Sequence, residues 1–260
     1  MGHSRRAVGQ TLLVAGPVMT AGHVITRQLG RIGPLISDRR GQRRQEPATM
    51  TAACPEGVGP GGVRSLEVRW IFRGSLAAAV AGWFGRFPAE TRAVQDVYLL
   101  DPHLPGLSVK IRAGRALEVK AHRGNPGLLE VAGHARGRLE CWQKWSFPHR
   151  SLIPRSSDPA GWRTVNKNRR ISWFSRATGA RAPRLGGQPG CAVELTGVHV
   201  RGEAWWTLGF EATGPATALR TELDAAAARV FAHALPGGME LGLEDSTSYA
   251  QWLRRQLSAG

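Results

Sequence analysis

Residues 96–120 read DVYLLDPHLPGLSVKIRAGRALEVK, and the alternation of charge along them decides the fold. Successive side chains of a strand point to opposite faces, so Lys110 and Arg112 share one face while Val109 and Ile111 share the other. Ala113, Gly114 and Arg115 make a connection short enough for an antiparallel hairpin, and beyond it Glu118 and Lys120 share a face opposite Leu117 and Val119. A third strand over 94–99 leads in, separated from the hairpin by Pro102 and Pro105-Gly106.

The same alternation recurs to either side. In 66–70, Glu67 and Arg69 lie opposite Leu66, Val68 and Trp70; in 138–146, Glu140, Trp142 and Lys144 share a face. In 162–174, Val165, Lys167, Arg169, Ile171 and Trp173 share a face, and 192–200 with 204–212 read as a hairpin around Arg201-Gly202-Glu203. Three segments have helical spacing: one after Ser75 carrying Leu76, Ala79, Val80, Trp83 and Phe84, one opened by Pro215, and a last one begun by Asp245 or Ser246 that turns Tyr249, Trp252 and Leu253 inward. Seven or eight strands with few helices predict an α+β chain, a single antiparallel sheet or barrel with helices packed outside.

Composition narrows the partners. The 260 residues carry 35 Lys and Arg against 19 Asp and Glu, a formal charge of +16, and eleven of those excess charges fall on residues 64–260. Nucleic acid, an anionic membrane or phosphorylated small molecules are the natural ligands of such a chain. Cys54, Cys141 and Cys191 lack metal-ligand spacing and predict neither a zinc site nor a disulfide framework, hence a reduced, cytoplasmic setting. No apolar run approaches the roughly 20 residues of a membrane-spanning helix, so no membrane partner is expected. GxSxG, HExxH and GxxxxGK are all missing and the histidines are scattered, which leaves serine hydrolase, zinc protease and Walker-type NTPase chemistry without support.

Residues 1–63 hold eight Arg and three acids among Gly, Pro and polar residues and read as a disordered N-terminal extension, with Met50 as an alternative start. Ser4-Arg5-Arg6 before an apolar stretch is a weak export signal, interrupted by Gly16-Pro17. Gly57-Val-Gly59-Pro-Gly-Gly62 matches GxGxxG in letters only, since a strand rather than a helix follows it.

Taken in order from Leu66 to Leu253, these pieces resemble the CYTH superfamily of triphosphate tunnel enzymes: Asp96-x-Tyr98, Lys110-x-Arg112, Glu118-x-Lys120, Lys167-x-Arg169, a late Glu-bearing strand and the helix after it. The resemblance implies that residues 64–260 fold as an antiparallel eight-stranded β-barrel tunnel. Its lumen would bind phosphate through Arg69, Lys110, Arg112, Lys120, Lys167 and Arg169, and hold Mg²⁺ or Mn²⁺ on glutamates. The family's Glu-x-Glu-x-Lys first strand is Ser65-x-Glu67-x-Arg69 here, and its late Glu-x-Glu is Gly209-x-Glu211, so one carboxylate of each pair survives. Glu67 and Glu211 are therefore the expected catalytic and metal-binding residues, with Glu118, Glu140 and Glu194 in reserve.

Two functions are compatible with this reading. One is a metal-dependent triphosphatase-like hydrolase acting on a tri- or polyphosphate-bearing small molecule; the other is a non-catalytic polyanion- or RNA-binding module, favoured if the cations, including the basic loop 176–184, lie on outer faces.

Overall fold

The computed structural model describes residues 54, 62–148, 161–176, 179–180 and 188–258. The remainder of the predicted extension and most of the basic loop 176–184 lie outside the described residues.

Eleven strands and three α-helices occur among the described residues. In chain order they are β1 (Val63–Arg73), α1 (Ala78–Phe84), β2 (Glu90–Leu99), β3 (Leu107–Arg112), β4 (Ala116–Gly124), β5 (Leu128–Val131), β6 (Ala135–Arg138), β7 (Glu140–Pro148), β8 (Trp162–Ser175), β9 (Gly179–Ala180), β10 (Gly190–Val200), β11 (Glu203–Thr213), α2 (Ala216–Phe231) and α3 (Tyr249–Ser258). Hydrogen-bonded neighbours run β10, β11, β1, β7, β4, β3, β2, β8, and β8 pairs back onto β10. An eight-stranded antiparallel barrel is thereby closed, as the resemblance implied, where the alternation left sheet and barrel open; the two-residue β9 is an appendage on β8, and β5 and β6 form a separate hairpin.

The turns follow from local chemistry. Val200 pairs with Glu203 across Arg201 and Gly202, both at positive φ (54° and 78°), the twist that two-residue hairpins favour. α1 is shorter than its sequence pattern, and its N-cap is Ala77, which offers no side-chain cap. α3 begins at Tyr249 rather than at Asp245 or Ser246, because Ile71 N–H donates to the Asp245 carbonyl and Thr247 N–H to the Arg69 carbonyl, holding the segment before it as an extension of the wall.

The larger core lies outside the barrel. Leu66, Val68 and Trp70 of β1, Val193 and Leu195 of β10 and Leu208 and Phe210 of β11 are buried beneath Leu219, Leu223, Val230 and Phe231 of α2. Trp70 meets Phe210 and Phe231 edge-on and donates its indole N–H to the Arg136 carbonyl, which satisfies its polar group. With the outer face so covered, the inner face is free to be polar.

One expectation fails here. Cys54 and Cys141 form a disulfide across 87 residues of sequence, tying Cys54 to β7, while Cys191 is a buried free thiol. Spacing alone could not show it, because the partners are 87 residues apart in sequence and meet only in the folded chain; such a bond also runs against the expectation of a reduced setting. Among the described residues no helix is long and apolar enough to cross a membrane.

Candidate functional site

Inward positions of the barrel carry seven cations: Arg69 on β1, Lys110 and Arg112 on β3, Lys120 on β4, Lys144 on β7, and Lys167 and Arg169 on β8. All six cations singled out in the sequence thus meet in one lumen; Lys144 is an addition, detectable from the face it shares with Glu140 and Trp142. The same lumen holds Glu67, Asp96, Glu118, Glu140, Glu194 and Glu211. These carboxylates are interleaved with the cations.

Nearly every carboxylate is paired. Asp96 accepts from Lys110 (3.1 Å) and Lys167 (3.0 Å), and Lys167 also donates to the Tyr98 hydroxyl at 2.6 Å. Glu118 lies 3.3 Å from Lys110 and 3.1 Å from Arg112. Glu194 binds Arg169 and lies 3.5 Å from Arg69, whose guanidinium also donates to the Thr207 hydroxyl (2.9 Å) and sits 4.5 Å over the Tyr249 ring. Asp96 and Glu194 were not assigned these roles from the sequence, although each follows from alternation: Asp96 with Tyr98, and Glu194 with Thr196.

Burial and charge set the protonation states. Burial alone would raise Asp96, but Lys110 and Lys167 hold it well below the usual carboxylate range. Burial would likewise raise Glu194 and Glu211; Arg169 and Arg69 outweigh it at the first, Lys120 and Lys144 at the second. Burial pushes the Lys167 ammonium down to about 7, Asp96 offsetting only part of the effect. Burial also raises Glu140, against a hydrogen bond from Trp142 Nε1 to its Oε2 (2.9 Å). Trp142 is therefore a buried partner of Glu140.

Glu67 is directly opposite Glu211 on β11 and Glu140 on β7, so these three form a row across adjacent strands. Glu67 and Glu211 stand side by side, not across the lumen from each other. Lys120 Nζ lies 2.6 Å from Glu67 Oε1 and 3.5 Å from Glu211 Oε1, so the two carboxylates converge on a point that already holds a cation. Ser65 donates to Glu67 at 2.5 Å. At Gly209, a Cβ would lie 2.7 Å from Arg69 Cζ: the guanidinium occupies the space that a side chain at 209 would take. Among the described residues no group of three or more His, Cys, Asp or Glu is placed to hold a metal ion. A pair of converging carboxylates does fit an ion such as Mg²⁺, which is commonly held by one or two carboxylates together with substrate phosphate and water.

Fold and lumen define a closed antiparallel β-tunnel with an ionised interior. No protein-family model and no curated protein matches the chain. Among solved structures it is similar to a conserved hypothetical protein from Pyrococcus furiosus (14% identity over 71% of this chain and 98% of that one, TM-score 0.37). It is also similar to a Mimivirus capping enzyme triphosphatase (9%, 66% and 90%, 0.35) and to a putative adenylyl cyclase from Hippeastrum described as having a dominant triphosphatase activity (9%, 75% and 95%, 0.38).

Proposed function

We propose that the lumen binds the phosphate chain of a tri- or polyphosphate-bearing small molecule and hydrolyses it with a divalent metal. The observation that supports this most is the convergence of seven cations from five strands inside a closed barrel, where a small anion fits and a nucleic-acid duplex does not. Each cation is held by a carboxylate of the wall, so an arriving phosphate takes over partners already in place, and the site is ordered before the ligand comes.

Lys110, Arg112, Lys167, Arg169 and Arg69 grip phosphate oxygens and offset the charge that builds up as the chain is cleaved. Glu67 and Glu211 would hold a Mg²⁺ or Mn²⁺ ion, which would supply polarisation of the phosphoryl group, and Lys120 beside them is a further phosphate-binding cation. Glu140, kept protonated more readily by burial, stands beside Glu67 as the next carboxylate of the row. In this reading water attacks the phosphorus in line and no covalent nucleophile is required; among the described residues lining the lumen there is no Cys or His.

Non-catalytic binding is the second reading, favoured by the ammonium between Glu67 and Glu211 and the guanidinium over Gly209. Phosphate release from tripolyphosphate, nucleoside triphosphates and thiamine triphosphate, with Mg²⁺ or Mn²⁺, separates the two. Hydrolysis by the wild type, lost in Glu211→Gln with binding retained, supports the enzyme; no release under any condition alongside tight tripolyphosphate binding establishes the second reading.

A further inference from the structure

The carboxylates of Glu67 and Glu211 meet two ammoniums. Lys120 on β4 and Lys144 on β7 are directly opposite each other, and both lean toward the same oxygen, Glu211 Oε1, at 3.5 and 3.7 Å. Lys120 also lies 2.6 Å from Glu67 Oε1, which accepts from the Ser65 hydroxyl as well. The four charged side chains are only 15–26% exposed, so water screens them poorly, and as two carboxylates with two ammoniums they carry no net charge. Burial alone would lower the Lys120 ammonium, but Glu211 and Glu67 hold it above the ordinary lysine range, and it stays charged at neutral pH.

A Mg²⁺ ion lies about 2.1 Å from each oxygen that holds it. An ion shared by Glu67 Oε1 and Glu211 Oε1 therefore needs the space in which Lys120 Nζ stands, and two cations do not occupy it together. The ammonium yields that space only where another anion takes it over, because an ammonium left unpaired in the wall is costly. A phosphate chain in the lumen is such an anion.

Resting on the phosphate-binding reading, we infer that Lys120 is a resident counter-ion that keeps divalent metal off Glu67 and Glu211 until a phosphate chain is bound. Phosphate comes first and needs no metal, since Arg69, Lys110, Arg112, Lys144, Lys167 and Arg169 already surround it with positive charge. Lys120 then turns to the phosphate oxygens, and Glu67 and Glu211 become available to the ion. The coupling is reciprocal: whatever factor phosphate adds to the affinity for metal, metal adds to the affinity for phosphate. Toward the metal Lys120 is thus a positioning residue, acting through the two carboxylates it occupies.

Two measurements on the full chain test this. The first follows Mn²⁺ binding in the absence of phosphate by electron paramagnetic resonance, in the wild type, in Lys120→Met, which keeps a long side chain without its charge, and in Lys120→Met combined with Glu211→Gln. Lys120→Met is expected to bind Mn²⁺ at least about tenfold more tightly than the wild type, and Glu211→Gln to remove the gain. Equal affinities in the wild type and Lys120→Met, or a gain that survives Glu211→Gln, overturn the inference. The second uses the wild type alone and so does not depend on the folding of any variant: calorimetric titration with tripolyphosphate, once with a metal chelator and once with Mg²⁺. Binding in the presence of the chelator is the expected result. Binding that requires Mg²⁺ overturns the inference and leaves phosphate binding intact; binding under neither condition overturns both.

Discussion

Arg69 and Gly209 fit only as a pair. The guanidinium lies where any side chain at 209 would stand, and it is aimed from there at Glu194 and Thr207. In Gly209→Ala the new methyl meets the far end of a flexible side chain, so the barrel should lose at most about 1–2 kcal/mol while Arg69 swings out of the lumen. We expect tripolyphosphate affinity to drop about tenfold with a nearly unchanged melting temperature, measured by calorimetry and thermal unfolding. Lys167 gives a second prediction. Its ammonium, pushed down to about 7, faces Asp96, Tyr98, Lys110, Glu194 and Tyr249, and a bound phosphate would hold the proton on. Binding should therefore weaken by up to about tenfold per pH unit above 7 in the wild type, and less steeply in Lys167→Arg, whose guanidinium stays charged. The sequence made these cations legible because a strand's period of two places Lys110 with Arg112 and Lys167 with Arg169 regardless of context. It could not show that Glu67 and Glu211 are lateral neighbours, since that depends on which strands pair.

Among the elements, alternation located the eight barrel strands but not the β5–β6 hairpin. Residues 135–138, Ala-Arg-Gly-Arg, lack strand formers, and the strand exists because Gly137 lets it pass close to Trp70 and Val68, where a Cβ would come within 2.5 Å of both side chains. The Cys54–Cys141 disulfide was equally hidden. Closing 87 residues, it removes on the chain-entropy model about 4–5 kcal/mol of denatured-state freedom, an upper value. Cys54→Ala should lower the denaturation midpoint, and a reductant should shift the wild type but not the variant. Equal midpoints for the two proteins, with and without reductant, would show that the bond adds nothing.

Charge in the lumen links the stability of the entire barrel to pH and to ligand. Asp96, Glu194 and Glu211 titrate below their ordinary range when folded, so the unfolded chain takes up protons first as the medium is acidified. Their contribution is complete above the usual carboxylate range and is lost as pH falls through the depressed folded values; thermal midpoints between pH 7 and 3 should fall accordingly. A ligand at about 100 times its dissociation constant adds about 2.7 kcal/mol, or roughly 5–10 °C in melting temperature for a chain of this size. Whether the lumen cations bind a phosphate chain is decided by calorimetric titration with tripolyphosphate of the wild type and of the Lys110→Ala, Arg112→Ala double variant. Binding by the wild type and a loss of about 100-fold or more in a double variant that still unfolds cooperatively is the predicted result; equal affinity in the two proteins would refute phosphate binding at these cations.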